Sequence, residues 1–217
     1  MRYNLYDGVE IRTENAAKPA SQPSKYLLSI MSNLENVESS FDYGCGKLRY
    51  SEHILKSTSI LTVVDSECQL SREQYLFGRK TSIRSLYERA NVVDVYNQEE
   101  FDLVERKYDR GFCINVLSAV PSYEWRWKIV KSIHRKLATG GEVLFVVQYR
   151  NSDFSRMMRM ENTRPWLDGF IIDSRRGYSF YGLLPPQRLH RFLLRAGFHV
   201  TDFKLNEGSA YMWATAR

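Results

Sequence analysis

Two glycines one residue apart, set at the end of an apolar run, constrain this chain more than any other feature. Residues 41–51 read F-D-Y-G-C-G-K-L-R-Y-S. Phe41-Asp42-Tyr43 ends a strand-like run over 39–43. Gly44 and Gly46 then allow a turn that residues with a Cβ adopt only at a cost. A helix-compatible segment, Lys47 to Leu55, follows. Ile60-Leu61-Thr62-Val63-Val64 is a short β-branched run of the kind buried on both faces, and it closes on Asp65. Strand, glycine turn, helix and strand make a β-α-β unit. The turn exposes backbone N–H groups to a polar ligand. Asp65 stands 19 positions after Gly46, an offset at which an acid accepts hydrogen bonds from ribose hydroxyls. A dinucleotide fingerprint needs a glycine three positions after Gly46; Arg49 is there, which disfavours NAD.

The same alternation continues along the chain. A lead-in over 1–23 is polar and reads as an arm, after which Pro23-Ser24 opens an amphipathic helix with Tyr26, Leu27, Leu28, Ile30, Met31 and Leu34 on its apolar positions. Helices are predicted over 69–77, 99–106, 125–137 and 187–194. Strands are predicted over 80–86, 111–117 and 143–147, with a turn at Gly140-Gly141. The segment 87–99 carries no sharp pattern. Phe198–Leu205 and Ala210–Ala216 flank Asn206-Glu207-Gly208-Ser209, a hairpin signal. Strands alternating with helices predict a mostly parallel sheet covered on both faces, here closed by an antiparallel pair, with ligands beyond the carboxyl ends of the strands.

Composition narrows the classes. Of 217 residues, 43% are hydrophobic, enough for a core, and the formal charge is +6. Mild basicity suits an anionic partner. No apolar run reaches membrane-spanning length, and the first residues lack a signal-peptide core, so a cytoplasmic location is expected. Cys45, Cys68 and Cys113 form no pair at ligand or disulfide spacing. His53, His134, His190 and His199 have no second ligand nearby in sequence, so no metal is expected.

Several of these motifs resemble those of the class I S-adenosylmethionine-dependent methyltransferases, and they occur in that family's order. D-Y-G-C-G-K resembles its D-x-G-C-G motif and V-V-D its ribose-binding acid. Residues 108–121, Y-D-R-G-F-C-I-N-V-L-S-A-V-P, are similar to its fourth-strand motif. L-A-T-G-G-E-V-L-F, 137–145, resembles its turn before the fifth strand, and A-G-F, 196–198, leads into its terminal hairpin. The resemblance covers residues 25–217. It implies an α/β fold, a Rossmann-like three-layer α/β/α sandwich with a mostly parallel seven-stranded sheet and a C-terminal antiparallel hairpin. The methyltransferase domain spans 24–217. S-adenosyl-L-methionine is the implied cofactor. Asp42 meets its amino group, Gly44, Cys45 and Gly46 its methionine part, Asp65 and Ser66 the ribose. Asn115 and Leu117 lie near the sulfonium, and Val95 and Tyr96 on the adenine side. Leu48 replaces a third glycine common in the family. Ser118-Ala119 stand where many small-molecule members carry histidines, which leaves a general base unassigned.

The acceptor is less legible. Residues 150–186 occupy the place of a substrate-recognition insertion. Over 150–195 there are nine arginines, no lysine and four acids, interleaved with the aromatics Phe154, Trp166, Phe170, Tyr178, Phe180 and Tyr181. Guanidinium forks beside ring faces suit phosphate and base recognition. Arg175, Arg176 and Tyr178, around Gly177, are the substrate-binding candidates. Tyr123, Glu124 and Tyr149, just beyond strand ends, are the catalytic ones. Neither D-P-P-Y nor N-P-P-Y occurs, nor a P-C pair, so base methylation of DNA is not indicated. The leading reading is a methyltransferase for a small or nucleotide-like anionic acceptor. An RNA or other nucleic-acid methyltransferase, and a non-catalytic partner subunit of the same fold, are the alternatives.

Overall fold

A computed structural model describes residues 2–5, 7–150 and 156–216; Asp153 and Phe154 lie outside them. The central sheet has seven strands: β3 (Val37–Tyr43), β4 (Thr58–Asp65), β7 (Val93–Asn97), β8 (Tyr108–Ile114), β9 (Leu137–Gln148), β13 (Phe198–Asn206) and β14 (Ser209–Ala216). Their order is β13-β14-β9-β8-β3-β4-β7. β3 pairs in parallel with both β4 and β8, β4 with β7, and β8 with β9. β14 is antiparallel to both β9 and β13. Chain order therefore reverses between β3 and β8, the point where such sheets open a crevice beyond their carboxyl ends.

The two-residue strand period decides which layer each side chain joins. Along β9, Val143, Phe145 and Val147 face one layer, while Leu144 and Val146 face the other. The first layer is closed by α5 (Gln98–Leu103), α6 (Tyr123–Lys136) and a C-terminal helix, α7 (Pro186–Ala196), through Phe101, Ile129, Ile133, Leu189 and Leu193. The second is closed by α1 (Lys25–Met31), α2 (Ser51–Leu55), α3 (Glu67–Ser71) and α4 (Ile83–Tyr87), through Leu27, Ile54, Leu70 and Ile83. The three-layer sandwich and its terminal hairpin match the sequence reading.

Local differences have local causes. The lead-in is not irregular throughout: β1 (Arg2–Asn4) and β2 (Glu10–Arg12) pair, and Tyr3 and Ile11 are buried in the first layer. The helix expected from 47 starts only at Ser51, because Leu48 takes a left-handed φ of 59°. The helix expected through Phe77 and the strand over 80–86 are instead the short α3, then a hairpin of β5 (Gln74–Leu76) and β6 (Arg79–Thr81), then α4. Phe77 and Gly78 both have positive φ between those strands, as a two-residue hairpin turn requires. β7 had no clear signal, because V-D-V-Y-N is short and polar at every second or third position. β9 begins at Leu137, and Gly140-Gly141 sit in an irregularity of its pairing with β8. Within the expected insertion, β10 (Thr163–Trp166), β11 (Gly169–Ile172) and β12 (Ser179–Gly182) form a separate antiparallel sheet. It is fastened to the core by Arg126, whose guanidinium meets the Asp168 carboxylate at 2.6 and 2.8 Å and whose Nε donates to the Val120 carbonyl at 2.9 Å.

Candidate functional site

β3 delivers Asp42 and the glycine turn to the carboxyl edge of the sheet. Gly44 N–H and Cys45 N–H both donate to the Val64 carbonyl, at 2.7 and 3.1 Å. This pins the turn against the end of β4. Gly44 has φ +77° and Gly46 φ +58°, left-handed conformations that favour glycine. A Cβ on Gly44 would also collide with the Val116 side chain. Gly46 N–H donates to Asp65 Oδ2 at 2.8 Å, and Ser66 N–H to Asp65 Oδ1 at 2.7 Å. The spacing of turn and acid is thus a direct hydrogen bond. Gln69 Nε2 donates to the Gly46 carbonyl and locks the far side of the turn.

Asp42 is buried and Asp65 half-buried. Burial pushes the Asp42 carboxyl up to about 7, partly offset by the Ser51 hydroxyl that donates to Oδ2 at 2.7 Å. Burial also raises Asp65, against the pull of the Gly46 and Ser66 N–H groups. Two neighbouring carboxyls, one of them buried, are costly unless a positive or donor-rich partner meets them.

These groups line one cavity of about 1030 Å³ at the sheet's reversal point. Asp42, Gly44, Cys45, Gly46, Asp65 and Asn115 all reach it. Asn115 follows β8 with φ +60°, and its Oδ1 is buried without a hydrogen-bond partner among the described residues. A strap, residues 13–24, lines the cavity too, and its Ala17 lies against the glycine turn. It opens with a 3₁₀ turn, Thr13–Ala16, and is tied down by Arg72 to the Glu14 carbonyl, Arg49 to the Gln22 carbonyl, and Ser24 N–H to the Tyr50 hydroxyl.

No known family model matches the chain. It is 39% identical over 216 residues to the uncharacterised protein YmfD of Escherichia coli K12, covering 98% of this chain and 95% of that one. A solved S-adenosylmethionine-dependent methyltransferase of Clostridium acetobutylicum matches it with a TM-score of 0.61 at 11% identity, over 88% of this chain and 89% of that one. The 1,6-didemethyltoxoflavin-N1-methyltransferase of Burkholderia thailandensis, solved with 1,6-didemethyltoxoflavin and S-adenosylhomocysteine, gives 0.60 at 14% identity, over 88% and 77%. The chain belongs to the family of YmfD, and its fold is that of the class I S-adenosylmethionine-dependent methyltransferases.

Within this methyltransferase fold the other sequence candidates scatter. Leu117 is fully buried at the start of a 3₁₀ turn, Leu117–Ala119, and packs in the core. Ser66 caps α3, its hydroxyl accepting from Gln69 N–H at 3.4 Å. Val95 and Tyr96 pack on opposite faces of β7 and stay outside the cavity, whereas Gln98, at the start of α5, reaches it. Tyr123 is exposed on α6 and accepts from Arg188 at 2.6 Å; Glu124 pairs with Lys128 at 2.8 Å. Tyr149 packs against the first layer. None of these three lines the cavity. Arg176 lines it, Arg175 is exposed elsewhere, and Tyr178 packs its ring on the core while its carbonyl accepts from Arg12 N–H at 2.8 Å.

Sequence reasoning missed the polar wall made by Gln148, Tyr181 and Tyr211. Tyr181 donates to Gln148 Oε1, and Gln148 N–H donates to Ser118 Oγ at 3.2 Å. Gln148 had one signal, a polar residue ending the most apolar strand. Tyr181 was one of the aromatics interleaved with the arginines of 150–195, with nothing to set it apart from the others, and Tyr211 had no signal. Among the described residues no group of three or more His, Cys, Asp or Glu side chains is placed to hold a metal ion. No helix is long and apolar enough to cross a membrane.

Proposed function

We propose that this protein transfers a methyl group from S-adenosyl-L-methionine to a small, anionic acceptor. The observation that carries the reading is the convergence of Asp42, the Gly44–Gly46 turn, Asp65 and Asn115 on one cavity at the reversal point of the sheet. The residues fit the cofactor. Asp65 holds two backbone N–H groups and keeps lone pairs for ribose hydroxyls. Asp42, costly as a buried anion, is stabilised by an ammonium. The unpartnered Asn115 Oδ1 is available to a ligand donor. Gln98, which lines the cavity from the start of α5, is assigned to the adenine side in this reading.

When bound, the cofactor supplies a methyl group already activated by its sulfonium. The chain then has to align the acceptor and exclude water. Tyr181 and Gln148, coupled by their hydrogen bond, and Ser118 behind them form the wall that orients the acceptor. In this reading the Tyr181 hydroxyl donates to Gln148 and offers its oxygen to an acceptor N–H or O–H, orienting the acceptor where other members carry histidines, and the acceptor proton leaves to solvent.

Relatives with the same fold act on small molecules by their own descriptions, such as the didemethyltoxoflavin enzyme. The arginines of 150–195 do not form one nucleic-acid stripe. Arg164 pairs with Asp7 at 2.5 Å, Arg188 reaches Tyr123, and of the described members only Arg176 lines the cavity. Incubation with methyl-labelled cofactor and fractionated cell extract tests the proposal. Label should enter the small-molecule fraction. Label in RNA would support the nucleic-acid reading, and no transfer to any fraction the partner-subunit reading.

A further inference from the structure

β13 ends the seven-stranded sheet, with no strand on its outer side among the described residues. Its residues 201–205, T-D-F-K-L, are exposed one after another. The pairing with β14 sorts their side chains, because residues opposite each other share a face. Phe203 stands opposite Met212 and Leu205 opposite Ala210, both in the core of the first layer. Phe203 and Leu205 therefore project on that face, yet they are 45% and 50% exposed. Asp202 and Lys204 stand opposite Trp213 and Tyr211, on the face of the second layer, with their charged groups 3.9 Å apart. Thr201 is the extra residue where the register with β14 shifts between Val200 and Asp202. Phe203 N–H donates to Asp202 Oδ1 at 2.8 Å, the local bond of an N–H turned to the free edge with no neighbouring carbonyl to meet. Backbone groups alternate in direction along a strand, so those of Leu205 face outward with those of Phe203.

Charges usually guard an edge strand against a neighbour. An edge of one sign repels a copy of itself, but this one carries an acid and a base placed symmetrically about Phe203. Consider an antiparallel second copy of β13 with the two-fold axis at Phe203. Asp202 then stands opposite Lys204 of the other copy, twice over by symmetry. Leu205 meets Thr201, and the two Phe203 side chains meet on the first-layer face. The two Phe203 residues exchange N–H···O=C bonds across the axis, since their backbone groups already point that way. An axis at Asp202 or at Lys204 would set like charges opposite each other, which destabilises a strand pair. The order of charges thus favours one register. We infer that β13 is a self-pairing edge, through which two copies of this chain join into one continuous sheet. On pairing, Asp202 leaves the Phe203 N–H for the lysine across the axis. The inference is independent of the methyl-transfer reading.

Sedimentation velocity of the full chain at low salt, over a concentration series reaching about 100 μM, tests this. Wild type should sediment as a dimer at the upper end. Asp202→Lys and Lys204→Asp should each weaken the dimer at least about tenfold, because each turns two attractive cross-strand pairs into two repulsive ones. An equimolar mixture of the two variants should dimerise again. In that mixture each chain carries like charges within itself, and only the pairs between copies are attractive, so recovery reports the contact between chains and not a repaired fold. A wild-type protein that stays monomeric overturns the inference. So does a dimer that both single variants leave intact, which would lie on another surface, and so does a mixture that fails to associate.

Discussion

Asp42 shows how a single residue trades stability for binding. Burial holds its carboxyl near 7 in the folded chain, against about 4 when unfolded. As the folded value is the higher one, ionisation opposes folding. The penalty is absent below pH 4, grows between pH 4 and 7, and is complete above 7. Asp42→Asn should therefore raise the unfolding free energy of the ligand-free protein, from urea titration at pH 8, by roughly 2–4 kcal/mol, and leave it unchanged at pH 3.5. The same group sets the pH dependence of cofactor binding. If the ionised carboxylate meets the ammonium, affinity for S-adenosylhomocysteine should fall about tenfold between pH 8 and pH 6, and the D42N protein should lose that dependence. Asp42, Gly44, Gly46 and Asp65 were legible because backbone constraint and spacing both speak in one dimension. Tyr181 and Tyr211 were not, since a tyrosine in a strand reads the same whether it faces a core or a cavity.

At the scale of elements, the chain adds two pieces to the sheet and helices. One is the N-terminal hairpin with its strap; the other is the β10–β12 sheet. Both were obscure in sequence for the same reason. Their strands are three or four residues long, too short for a period to emerge, and side-chain ties add to the few apolar residues, Tyr3, Ile11, Ile171 and Phe180, that they bury in the first layer. The Arg126–Asp168 pair is the strongest of these ties, with the two side chains 1% and 7% exposed. Arg126→Met leaves the Asp168 carboxylate buried with only Arg188 at 3.6 Å, and should cost about 3–5 kcal/mol in urea unfolding. Asp168→Asn added to it should restore part of that loss. A cost below 1 kcal/mol would mean that the sheet holds its place without the pair. The long apolar strands β4, β8 and β9 could be read directly, whereas β7 needed the tertiary pairing Val63↔Val95 to exist.

At the scale of the molecule, topology decides where the chemistry sits. The order β13-β14-β9-β8-β3-β4-β7 brings the carboxyl ends of β3, β4 and β8 to one edge, so residues as distant as Gly46, Asp65 and Asn115 share a cavity. The account therefore stands on whether the cavity takes the adenosyl ligand. Isothermal calorimetry of S-adenosylhomocysteine at pH 8 with the wild-type protein and Asp65→Ala measures this most directly. Wild type should bind with about micromolar affinity, one ligand per chain, and Asp65→Ala should bind at least about tenfold more weakly. No heat with the wild-type protein, or equal affinity in the variant, would contradict the account.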